Sequence, residues 1–121
     1  MKNHEILDTY EALISLRERS ETRLPASTVY AIIRNMRILQ PIAEDITIAR
    51  MDVLKEYGDP VPEQPGFFSP KIGKEDEMNK ALEDLASIEN DVDFIKIPIS
   101  SLDGLKLSMA DMDALYFMVD G

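Results

Sequence analysis

The side chains able to do chemistry are few and scattered. The only histidine, His4, lies at the start of the chain, where nothing in the surrounding sequence supplies the orienting partner that a general base requires. Carboxylates come in groups: Glu75-Asp76-Glu77, Asp91 with Asp93, and Asp111 with Asp113. A calcium loop counted from Asp91 would need glycine at its sixth position and glutamate at its twelfth, but Lys96 and Leu102 stand there. On a helix Asp111 and Asp113 point about 200° apart and cannot chelate one ion from one face. Solvated surface is the simpler reading of all three groups. With no cysteine in the chain, thiolate metal sites, disulfides and cysteine nucleophiles are excluded. The five glycines are dispersed and form no phosphate-cradling loop. No catalytic residue, metal or cofactor is expected.

What remains is binding chemistry. Arg34 and Arg37 lie one turn apart on a polar helical face shared with Tyr30, a pair able to grip phosphate or an acidic partner. Arg50 falls within an apolar stripe, so its charge must reach outward or pair with a carboxylate. A structural salt bridge is its expected fate, and an anion site built with Arg34 and Arg37 is the functional alternative. Phe67 and Phe68 interrupt a proline-rich segment. At least one is expected to tuck onto the core, and an exposed aromatic contact is the alternative. The closing helix carries Met112, Phe117 and Met118 and is apolar around much of its circumference. Such a helix is wrapped by its own core or offers a surplus face to a partner or a second copy of the chain.

The elements positioning these groups follow from periodicity. Asn3 is placed to cap a first helix running to about Arg19, with Ile6, Leu7, Tyr10, Leu13 and Ile14 on one face. Ser20 to Arg23 is a polar connector. A second helix is expected from Leu24 to Gly58, with Pro25 at its first position and Gly58 as a left-handed terminator. Val29, Ile32, Ile33, Met36 and Leu39 form a stripe before Pro41, and Ile42, Ala43, Ile46, Val53, Leu54 and Tyr57 form another after it. The second is rotated by roughly 70°, with a kink near Leu39-Gln40.

Residues 58–73 hold Pro60, Pro62, Pro65 and Pro70 and read as a stiff surface loop without regular structure, with one very short strand at Lys71-Ile72-Gly73. A third helix is expected from Glu75 to about Ile88, then a strand from Asp91 to Ile99 that Pro98 makes an edge or ends. Asp103-Gly104 is a turn, Leu105-Lys106-Leu107 a short strand, and Ser108 with Asp111 a capping box opening a last helix to Val119. The fold class is α+β and mainly helical, in one domain: helical pair 1–57, loop 58–73, acidic α/β module 74–121.

Charge divides unevenly along the 121 residues. The formal net charge is −10, yet residues 1–57 sum to −1 and residues 58–121 to −9. A surface of this kind repels phosphate backbones and excludes nonspecific nucleic-acid binding. Solubility is the simpler reading of this charge, and an acidic face that meets a basic protein partner is the sharper one. No apolar run approaches the ~20 residues that a membrane span requires, and the N-terminus lacks a signal core, so a cytoplasmic protein is expected.

The order of several segments resembles a family of small, acidic, uncharacterised proteins encoded by phages and prophages of Gram-positive bacteria. The segments are Leu24-Pro25, Ile33-Arg34-Asn35-Met36, Leu39-Gln40-Pro41, Ala49-Arg50, Lys55-Glu56-Tyr57-Gly58, Asp91-Val92-Asp93 with Ile97, and Leu107-Ser108. The resemblance implies a nonenzymatic accessory protein of the host-cell cytoplasm or the virion. Its partner would be a phage structural or host protein, met during assembly or at the tail. The alternative is an inhibitor of a host defence or nucleic-acid-binding protein, acting through the acidic surface that includes Glu75, Asp76 and Glu77.

Overall fold

The computed structural model describes residues 1–19 and 23–120, so the Ser20–Thr22 part of the connector lies outside the described residues. Helix α1 spans Asn3–Arg19 and helix α2 spans Ala26–Tyr57. They run antiparallel, since His4 and Leu7 of α1 lie against Ile46 and Arg50 of α2, while Leu16 lies beside Ile32. Pro25 occupies the cap rather than the first helical position, with ψ of 147°. Among the described residues, no helix is long and apolar enough to cross a membrane.

The helix continues through Pro41. Proline has no N–H, so the Arg37 carbonyl loses its helical donor. Arg37 and Pro41 are both on the exposed side, where water can satisfy that carbonyl. The buried residues Thr28, Ala31, Ile32, Asn35, Leu39, Ala43 and Ile46 recur at three- and four-residue steps straight through the proline. One continuous face therefore replaces the two rotated stripes expected from sequence, and Val29 lies outside it.

The proline-rich segment also differs from expectation, because it folds as a hairpin. Strand β1 (Gly58–Pro60) pairs antiparallel with strand β2 (Phe68–Pro70). In a two-stranded ribbon each strand has an open edge, so Pro60 and Pro70 can lack donors without breaking the ladder. Bonds from Val61 N–H to the Phe67 carbonyl and from Lys71 N–H to the Tyr57 carbonyl, each 2.9 Å, bracket the pair. Residues 71–73 form a turn instead of a strand, with Gly73 at φ 80°.

Gly58 is extended, with φ −130° and ψ 166°, and not the left-handed terminator expected. It is needed for close approach: a β-carbon there would lie 2.9 Å from the Leu54 carbonyl oxygen and 3.0 Å from that of Ser69. Both are backbone atoms and cannot swing away. Gly58→Ala is therefore expected to destabilise the protein by about 1–3 kcal/mol, seen as a lower midpoint in thermal unfolding. An unchanged midpoint would show that the hairpin shifts freely on α2.

Helix α3 spans Glu75–Ala86, ending two residues before the expected Ile88, which is exposed. The following segment has little regular structure. Only Ile97–Pro98 forms a strand, β3, and it pairs in parallel with β4 (Val119–Asp120). Residues 105–107 form no strand. Helix α4 spans Met109–Leu115 behind the expected Ser108–Asp111 capping box, then tightens into a 3-10 turn at Tyr116–Met118. The α-helix thus stops short of Val119, which β4 recruits.

Two asparagines fasten this tail to the helices. The buried Asn35 donates from Nδ2 to the Ile95 carbonyl at 2.9 Å and accepts from the Ile95 N–H through Oδ1 at 2.8 Å. The side-chain amide thus reproduces one rung of a β-ladder. Asn3 lies inside α1 and does not cap it as expected. It donates to the Leu85 carbonyl at 2.8 Å and accepts from Asn90 Nδ2 at 2.7 Å. Beside it the Met1 ammonium donates to Glu89 Oε1 at 2.6 Å and holds that carboxyl below its usual range. The resulting stabilisation is present at neutral pH and disappears as pH falls through the lowered value. The core joins Ile6, Leu13, Leu16, Ile32, Leu39 and Ile46 of the helical pair to Ile97, Leu102, Leu115 and Met118 of the tail.

Candidate partner-binding surface

The residues singled out from sequence do not converge. Arg34 and Arg37 are exposed on the outer face of α2, beside the largely exposed Tyr30. Arg50 lies thirteen residues beyond Arg37 in the same helix, or about 20 Å at helical rise. An anion site combining the three is therefore ruled out. Phe67 is exposed in the hairpin turn, and Phe68 is half-buried in β2 beside Gly58 rather than among the side chains packed on the core. Glu75, Asp76 and Glu77 are exposed in the first turn of α3, with Lys74 Nζ 3.2 Å from Glu77 Oε2. No group of three metal-ligating side chains is gathered among the described residues.

The C-terminal segment is different. Its capping box fixes the start of α4, and Ala114, Leu115 and Met118 turn into the core. Met118 is fully buried, with its sulfur 3.6 Å from Asn35 Nδ2, so it is a core residue and not a contact as proposed from sequence. Phe117 is half-buried and stands edge-on to Phe94, with ring centroids 4.9 Å apart at 82°. That geometry suits the aromatic quadrupole and fixes the ring.

On the outer side Met109 is 86% exposed, Tyr116 82%, Ile99 52% and Met112 37%. The residues 109, 112 and 116 follow the three-and-four spacing that stacks side chains on one helical face. Tyr116 stands between two open hollows. One, of about 480 Å³, reaches Ala12 of α1 and is rimmed by Glu5, Asp8 and Asp113. The other, of about 570 Å³, is lined by Lys96, Ile99, Met112 and Val119. Lys96 Nζ donates to the Phe117 carbonyl and so closes the segment onto the tail.

Of the expected contacts, Met112 and Phe117 belong to this surface. Met109, Tyr116 and Ile99 were missed, although the 109-112-116 spacing was visible in the sequence. Searches with the chain found no matching family model, no similar curated protein and no similar solved structure.

Proposed function

We propose that this is a nonenzymatic protein that works by binding another protein through the surface around Tyr116. The observation that carries the reading is the nearly full exposure of Met109 and Tyr116 beside Ile99 and Met112. Aromatic side chains that become buried on binding, tyrosine among them, supply much of the energy of an interface, and methionines adapt to a partner's shape. The acidic rim of Glu5, Asp8 and Asp113 selects an apolar protrusion flanked by lysine or arginine. The phage-family resemblance supports a phage structural or host protein as the partner, and a second copy of the chain is the competing occupant.

Affinity capture from prophage-induced cells, with mass spectrometry and sedimentation of the purified chain, tests this. The wild-type chain should retain one partner stoichiometrically, while Met109→Asp with Tyr116→Ala should lower its affinity by at least about tenfold. Both positions are exposed, so the variant should melt near the wild type. Equal capture by both proteins would remove the proposal. The exposed carboxylates Glu75, Asp76, Glu77, Glu83 and Asp84 favour one other reading, an inhibitor occupying a basic groove. Its binding would survive the Tyr116 change and collapse with added salt.

A further inference from the structure

A separate cleft of about 250 Å³ opens where α1, α2 and α3 meet. Leu7, Ile46, Leu82 and Leu85 give it apolar walls, and the exposed His4 and Arg50 line its mouth. Among the described residues no carboxylate lies within 4.0 Å of the Arg50 guanidinium. The expected structural salt bridge is thus not formed there, in a chain with 23 acidic against 13 basic residues. No carboxylate of the described residues lines the cleft. The amide of Asn3 is held by the Leu85 carbonyl and by Asn90.

We propose that this cleft binds a small amphiphilic carboxylate. Its apolar body would lie on the four aliphatic residues, and its carboxylate would accept from the planar guanidinium of Arg50, with His4 as a second donor. Guanidinium is the side chain best matched to a carboxylate, because its parallel N–H groups engage both oxygens. The volume sets the size. A 150 Å³ cavity accommodates benzene, so this one suits a ring with a short arm or a chain of roughly six to eight carbons. The net negative charge of the protein opposes anions only weakly at the site, since fields from distant charges are screened within about 8 Å at physiological salt. The cleft shares no lining residue with the hollows flanking Tyr116, and the proposal does not depend on the protein-binding reading.

Titration of the full chain with octanoate, followed by amide chemical shifts, tests it, with octanol as the neutral control. Saturable shifts centred on His4, Leu7, Ile46 and Leu82 are expected, with Kd on the order of 0.1–1 mM for so small a ligand. Arg50→Gln, at an exposed position, should weaken octanoate by at least about tenfold and leave the weaker octanol binding unchanged. Equal octanoate affinity in both proteins, or shifts centred away from the cleft, would overturn the proposal.

Discussion

Asn35→Leu is expected to lower the unfolding free energy by about 2–4 kcal/mol, although leucine keeps the branching of the asparagine side chain. The Ile95 N–H and carbonyl each have Asn35 as partner, and a buried polar backbone group left without one costs about 1–3 kcal/mol. The leucine's own apolar burial offsets part of that loss. At roughly 3–5 °C per kcal/mol for a chain of this size, the midpoint should fall by about 6–20 °C in circular-dichroism melts. A variant melting with the wild type would mean that Ile95 finds other partners, and that the amide does not hold the tail.

Leu39→Ala is expected to cost more, about 3–5 kcal/mol. Leu39 is fully buried in the core cluster shared by the helical pair and the tail. Truncation loses the transfer energy of the deleted atoms and leaves a cavity that rigid helices close only in part. Denaturant unfolding should show the midpoint falling with the slope unchanged, because the native and unfolded surfaces stay nearly the same. A loss under about 1 kcal/mol would indicate that the core collapses into the space.

The helices were legible in the sequence because each carries a long apolar stripe. The sequence suggests a helix cap at Asn3 and assigns Asn35 no structural role, yet both are buried. Both stand on those stripes, Asn3 one turn before Ile6, and Asn35 between Ile32 and Leu39. At these two positions the polar residue in register with an apolar face is a buried hydrogen-bonding post. The hairpin is hidden by its proline density, because Pro60 and Pro70 exclude a central strand and are tolerated only where a two-stranded ribbon needs no donor. The strand expected from Asp91 to Ile99 has the residues of a strand, but its neighbour is a helix. Its apolar side chains Val92, Phe94 and Ile95 still pack on the core, with the Asn35 side chain in place of a ladder. The exposed surface around Tyr116 depends on how α4 turns into a 3-10 segment, which spacing alone does not specify.

The asparagine fasteners join residues far apart in the chain: Asn35 to Ile95 across 60 positions, and Asn3 to Leu85 across 82. Contacts at such separation carry a larger loop-closure cost than those between adjacent helices. The α1–α2 hairpin can thus form early, while residues 85–120 dock late in folding. Weakening a late contact leaves the folding rate nearly unchanged and speeds unfolding. In Asn35→Leu the stability loss should accordingly appear in the unfolding arm of the chevron, which makes one side-chain amide a determinant of how long each native molecule survives.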